Sequence, residues 1–240
     1  MSYTTILESV FKWIKEHKVK SILFGILTIA AVEYFTLPGY NIKKLVKEFP
    51  KVTAVMEQRL DENSDKKYKI VQKWVPISKI SLNMIHAIIV AEDGAFYEHG
   101  GIDWYEVQAS IERNLEDDKP LRGASTITQQ LAKNLYLSTS RDPLRKLKEL
   151  IITLRMERIL KKQRILELYL NLIEFGNGTF GVEAAAQKYF GKSANSLDRM
   201  EAARLAAVVP SPLKHRPLDT SRWVNNRTNR ILSRMEARGW

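Results

Sequence analysis

One long apolar run near the N-terminus constrains this chain more than any other feature. From Ser21 to Ile42 it carries a single charge, Glu33. The stretch Ser21 to Leu37 would reach roughly 26 Å as a helix at ~1.5 Å per residue. A hydrocarbon core is ~30 Å thick, so the run nearly spans it, and Val19 or Tyr40 can complete the span at the interfaces. Lys12, Lys15, Lys18 and Lys20 precede the run, and positive charge on that flank keeps the N-terminus in the cytoplasm. The expectation is a short cytoplasmic N-terminus over 1–18 and a single transmembrane anchor over 19–40, with the remainder outside. A cleaved signal peptide is the rival, because Thr28 to Ala30 loosely resembles a small-residue cleavage site. The basic region is long for a signal peptide, and a buried soluble helix is the weakest option.

Beyond the anchor, a chain of 240 residues with 45% hydrophobic content can bury one sizeable core. Its formal charge of +11 suits an anionic partner: nucleic acid, anionic lipid or a phosphorylated substrate. With no cysteine, a disulfide framework and thiolate chemistry are excluded. The histidines, His17, His86, His99 and His215, lack metal-ligand spacing such as HExxH, so no metal ligand set is expected.

The periodicity is helical. Phe49 to Leu60 reads as a short amphipathic helix and Asp61 to Lys73 as a polar connector, making 41–73 a membrane-proximal segment and 74–240 the main domain. Ile80, Met84, Ala87, Ile88 and Ala91 predict a helix ending close to Glu92 and Asp93, with a glycine-marked loop after it. Thr126 and Gln129 form a capping-box pair opening a helix with the apolar stripe Ile127, Leu131 and Leu135; Gln130 and Lys133 share another face. Asp142 before Pro143 starts a helical pattern that runs to about Leu170, with a break expected between Arg158 and Arg164. Gly176, Gly178 and Gly181 mark a loop. A helix from Val182 stops at Gly191, and another opens at Asp198 and Glu201 and ends at Pro210. No sequence of strands stands out, and the class is mainly α-helical.

Three strips can carry chemistry. In AEDGAFYEHGGIDW, Ala91 to Trp104, each acid taken separately reads as a solvated surface group. Position favours more for Glu92: a carboxylate at a helix C-terminus meets the negative end of the dipole and becomes a stronger base. His99 is as able to orient a loop as to transfer protons, and Phe96 reads as a core anchor. In RGASTITQQLAKNLYLSTSR, Arg122 to Arg141, amides at a helix start attract phosphate oxygens, and Lys133 and Arg141 can neutralise a departing phosphate. An ordinary capped helix with a basic face is the plainer reading. In RKLKE, Glu149 stands four residues from Arg145 and three from Lys146, which also describes surface ion pairs worth ~0.3–0.5 kcal/mol each. Ser211 and Lys214 make an SxxK string, but no KTG string accompanies it, so penicillin-type acyl transfer is not supported. The basic patches contain no nucleic-acid-binding motif.

Together these strips resemble the glycosyltransferase family of bacterial cell-wall polymerases, and most closely its monofunctional biosynthetic peptidoglycan transglycosylases. From about Ile77 to Met235 the family's five blocks occur in order: EDGAFYEHGGID, GASTITQQLAKN, RKLKE, KQRILELYLN, and FGNGTFGVEAAAQKYFGK with the helix after it. Ala124 departs from the family's usual second glycine. The resemblance implies a lysozyme-like helical lobe with a smaller, membrane-associated jaw lobe. It implies that lipid II is polymerised at the outer face of the inner membrane. Glu92 would deprotonate the acceptor's 4-hydroxyl, which attacks the anomeric carbon of the lipid-linked growing glycan. The configuration would invert as undecaprenyl pyrophosphate leaves. Lys133, Arg141 and Arg145 match the cations around the pyrophosphate, and Glu149 the second essential acid. Asp93, Phe96, His99, Thr126 and Gln130 match positions lining or shaping the cleft. No cofactor is required by the sequence, although relatives are often helped by magnesium or manganese. With no transpeptidase blocks in these residues, a separate crosslinking enzyme, or a division or elongation protein, is the expected protein partner, and nucleic acid is not.

Two other readings compete. A lysozyme-like hydrolase shares the helical lobe and catalytic glutamate, but the cluster of Lys133, Arg141 and Arg145 is superfluous for a neutral leaving group. A non-catalytic membrane-tethered wall scaffold would need none of the five blocks.

Overall fold

The computed structural model describes residues 17–37, 40–63, 68–117, 125–140 and 142–240. The chain divides into two compact units, Met1–Pro38 and Gly39–Trp240. In the first, the stretch expected as a span is helical from Lys18 to Thr36 (α1). No helix among the described residues is long and apolar enough to cross a membrane. Exposed Val19, Ile22, Leu23, Phe24, Ile26 and Val32 nonetheless make α1's surface strongly apolar.

The second unit is mainly helical. Its elements are α2 (Tyr40–Lys44), α3 (Ala54–Glu62), β1 (Val71–Gln72), α4 (Leu82–Glu92), α5 (Trp104–Asp117), α6 (Ile127–Tyr136), α7 (Pro143–Ile159) and α8 (Lys162–Leu172), followed by β2 (Glu174–Gly176), β3 (Thr179–Phe180), α9 (Val182–Phe190), α10 (Arg199–Val208) and α11 (Arg222–Glu236). The expected helix from Phe49 starts instead at Ala54, where Thr53 caps it by accepting from the Met56 amide. Phe49 is held outside the helix, stacked on Trp74 at 4.5 Å between ring centroids. The helical pattern from Ser78 is a 3₁₀ turn, Ile77–Lys79, followed by α4 with Ser81 as its cap.

Two packing groups meet where the site lies. In one, α4 packs against α10 and α11. Ala202, Ala203, Ala206 and Ala207 of α10 are fully buried, and such small side chains let helix backbones approach closely. Met84 and Ile88 of α4 are fully buried as well, each worth ~1.5–3 kcal/mol of transfer free energy. In the other group, α6 packs against α3, α7 and α8. α8 is buried almost all round from Ile165 to Leu172, which makes it the central helix. The break anticipated near Arg158 to Arg164 separates α7 from α8.

The glycine-rich stretch expected as a loop contains a small sheet of order β1–β3–β2. β3 pairs antiparallel with β2 and parallel with β1, Val71 opposite Thr179. Strands of two or three residues, β2 and β3 buried on both faces, show no alternation for sequence reading to find. Fully buried Asn171 ties β1 and the segment after it to α8: its backbone carbonyl accepts from Gln72 Nε2 at 2.8 Å, and its side chain accepts from the Val75 amide and donates to the Val75 carbonyl, both at 2.9 Å. Gly181, with φ +80°, passes so close to the Asn171 carbonyl that a Cβ would lie 2.6 Å from its oxygen.

Candidate active site

α4 ends at Glu92, and the next residue connects it to α6. Buried Asp93 accepts from the Ile127 amide at the start of α6 (2.9 Å) and lies 2.9 Å from His99 Nε2. The His99 Nδ1 atom accepts from the Gly101 amide (3.0 Å), which leaves Nε2 to donate to Asp93. Thr126 accepts from the Gln129 amide in the anticipated capping box, and its hydroxyl donates to the Gly101 carbonyl at 2.7 Å. Asp93, His99 and Thr126 therefore lock the turn after α4 to the N-terminus of α6. Phe96 is fully buried under the Lys162 ammonium, 4.6 Å from the ring centroid, and anchors the same turn.

That frame delivers Gln130 and Lys133 to Glu92. Gln130 Nε2 donates to Glu92 Oε2 at 2.9 Å, and the Tyr169 hydroxyl of α8 donates to Gln130 Oε1 at 2.8 Å. Arg227 of α11 donates to Glu92 Oε1, also at 2.8 Å. Only 8% of the Glu92 side chain is exposed. Burial pushes its carboxyl above the usual carboxylate range, against the downward pull of Gln130, Arg227 and Lys133. The outcome is a carboxylate of raised basicity, as a general base requires.

The second acid sits on α7 within the cationic group. Glu149, with 4% of its side chain exposed, accepts from Arg145 Nη1 at 2.6 Å and is paired with Lys146. Arg145 also donates to the Ser140 carbonyl, and Lys146 to the Ser125 hydroxyl at 3.2 Å. The i,i+3 and i,i+4 pairs expected from the sequence are formed, but around a buried carboxylate rather than on a solvated face. Burial depresses the half-buried Lys133 ammonium, Glu149 and Glu92 draw it upward, and Arg145 and Lys146 oppose them. Lys133 thus feels both acids at once. Arg141, the third expected cation, and Ala124 lie outside the described residues.

A cleft of about 510 Å³ opens beside Glu92, bordered by Asp93, Tyr105, Ser125, Thr126 and Arg234. A larger hollow of about 790 Å³ runs along α4 past Asn83, His86 and Trp240, with no carboxylate among its described lining residues. Of these two, only the smaller has described acidic side chains in its lining, Glu92 and Asp93 among them. Asp93, His99 and Asp103 also bring one ligand atom each within 4.8 Å of one another. His99 Nε2 carries the donated proton and Nδ1 accepts from the Gly101 amide, so the trio as it stands offers no free imidazole lone pair to a divalent cation.

Arg227 lies beyond the last helix that the sequence pattern predicts, which ends at Pro210. Ser221 before the buried series Val224, Thr228, Ile231 and Met235, spaced four, three and four apart, is the signal that announces α11. Nothing in that pattern marks Arg227 as facing an acid 135 positions earlier.

Comparison with known proteins matches a family model described as Transglycosylase to residues 58–236. The biosynthetic peptidoglycan transglycosylase of Nitrosospira multiformis is 47% identical over 188 residues, covering 78% of this chain and 82% of that protein. That of Janthinobacterium sp. is 40% identical over 224 residues, 91% of this chain and 97% of that protein. That of Chromobacterium violaceum is 47% identical over 165 residues, 68% of this chain and 72% of that protein.

Proposed function

The chain belongs to the transglycosylase family, and from that premise we propose that it is a peptidoglycan glycosyltransferase polymerising lipid II into β-1,4-linked glycan. The observation that carries this reading is a buried carboxylate of raised basicity, Glu92, within electrostatic reach of Lys133, which also feels Glu149 and its partners Arg145 and Lys146. An inverting displacement needs a base on the attacking side and charge stabilisation on the leaving side. Glu92 takes the proton of the acceptor's 4-hydroxyl as the oxygen bonds to the donor's anomeric carbon. The bond from that carbon to the pyrophosphate oxygen breaks, and undecaprenyl pyrophosphate leaves with both electrons. Lys133, Arg145 and Arg141 meet the charge that develops there. The leaving group departs as a stabilised anion, so no strong protein acid is needed, unlike glycoside hydrolysis.

Glu149 acts through its neighbours, keeping Arg145 and Lys146 in place rather than touching the reacting atoms. Asp93, Phe96, His99 and Thr126 shape the cleft, and Gln130 orients the base. No step is assigned to magnesium or manganese. No transpeptidase step is assigned either: Ser211 and Lys214 of the SxxK string occupy a turn, the Lys214 amide bonded to the Ser211 carbonyl. Crosslinking falls to a separate enzyme. α1, whose exposed apolar side chains suit a lipid environment, anchors the protein in the inner membrane with its N-terminus cytoplasmic and Gly39–Trp240 outside.

The test is to incubate the full-length protein with lipid II and digest the product with a β-1,4-specific muramidase. Complete conversion of a polymer to disaccharide units is expected. Shortening of preformed glycan, with no polymer from lipid II, would establish a cleaving enzyme instead.

A further inference from the structure

Both oxygens of Glu92 are held, and by different helices: Oε2 by Gln130 of α6 and Oε1 by Arg227 of α11. Each oxygen keeps a further lone pair, so the carboxylate is fixed in orientation and still able to accept a proton. The Tyr169 hydroxyl fixes the Gln130 amide, because a flipped amide would turn its oxygen toward the carboxylate. Arg227 has only part of its side chain exposed, and its planar fork meets the carboxylate with a charged donor.

Resting on the reading of Glu92 as the base, we propose that Arg227 is a positioning residue for glycosyl transfer: it keeps the Glu92 carboxylate ionised and aimed without itself touching the reacting atoms.

The surroundings single out Arg227 for this role. Asp93, next in sequence, is turned to the Ile127 amide and His99. From α6 the charge facing Glu92 is Lys133, which acts on it through space rather than by a hydrogen bond. From α8 the titratable group is the Tyr169 hydroxyl, neutral and engaged with Gln130. On α11 and after it, Arg234 and Arg238 border the same cleft but donate to the carbonyls of Val90 and Gly94. Glu98, Asp103 and Glu106 border the cleft too. α10 packs on α4, and its Arg204 is bonded to Pro217, Asp219 and Asn225.

The sign follows. An opposite charge within hydrogen-bond distance favours the ionised carboxylate, so its removal raises the pH at which Glu92 loses its proton, by roughly one to three units. A base works only when ionised, so the acid limb of kcat/KM moves to higher pH by that amount. The experiment measures glycan synthesis from lipid II by the full chain across the acid range, for wild type, Arg227→Ala, Arg227→Lys and Arg230→Ala. Arg230, exposed on the same helix, controls for loss of one positive charge. Circular dichroism checks that each variant is folded, and Arg227→Gln carries the same test if the alanine chain does not fold.

The expected result is a limb displaced upward by at least about one unit in Arg227→Ala, restored by Arg227→Lys and unmoved in Arg230→Ala. A fall in kcat with the limb unmoved, or a rise in KM with kcat and limb intact, overturns the proposal. Glycan synthesis retained by Glu92→Gln overturns the base assignment, and Arg227's role with it, so the two failures are told apart.

Discussion

Glu149→Gln separates a positioning acid from one that handles substrate. The carboxylate is almost wholly enclosed and accepts from Arg145, itself 16% exposed, at 2.6 Å. Lys146 is 48% exposed, so its half of the arrangement is screened by water and contributes little. Glutamine keeps the shape but loses the charge, leaving a neutral acceptor where a charge-assisted bond had been. Full disruption of a buried pair costs about 3–5 kcal/mol, and an isosteric, partly screened replacement should cost about 2. At ~2–4 °C per kcal/mol for a domain of this size, the melting temperature should fall by about 4–8 °C. Thermal unfolding followed by circular dichroism in one detergent measures this, with glycan synthesis assayed well below the transition. Because Arg145 loses its anchor, Glu149→Gln and Arg145→Gln should be non-additive by at least about 0.5 kcal/mol in a double-mutant cycle. A melting temperature unchanged within about 1 °C alongside abolished synthesis would refute the reasoning and put Glu149 in contact with substrate.

Other outcomes follow from single contacts. Gly181→Ala combines a φ of +80° with a Cβ 2.6 Å from the Asn171 oxygen, so it should destabilise by at least about 1–3 kcal/mol, read from a denaturant midpoint. Asp93→Ala removes the acceptor of the Ile127 amide and the partner of His99, costing about 1–3 kcal/mol. Hydrogen exchange at the Ile127 amide should accelerate, and an unchanged rate contradicts its role as the link from α4 to α6. If α1 is the anchor, intact mass of membrane-extracted protein shows the N-terminal segment retained; a mature N-terminus near Ala31 contradicts it.

What sequence reasoning could see was local. The capping boxes at Thr126 with Gln129 and at Asp198 with Glu201, the Asp142–Pro143 start and the left-handed stop at Gly191 are all formed, because each depends on residues within one turn. The small sheet was invisible because its pairing rests on contacts between Val71 and Thr179, far apart in sequence. The site divides the same way. Glu92 and the Arg145–Glu149 spacing could be read from the chain, but that Glu149 is enclosed follows from how α7 sits in the fold. Arg227 reaches its acid only because α10 and α11 pack on α4, a consequence of tertiary structure that no short pattern encodes.

The central claim is that Glu92 is the base of a polymerising glycosyl transfer. Its most direct test is gel separation of the products formed from lipid II by the full-length protein and by Glu92→Gln, at equal concentration and with matched circular dichroism spectra. Long glycan from the wild type and unconsumed lipid II with the variant is the predicted result. Glycan of the same length and yield from Glu92→Gln would contradict it.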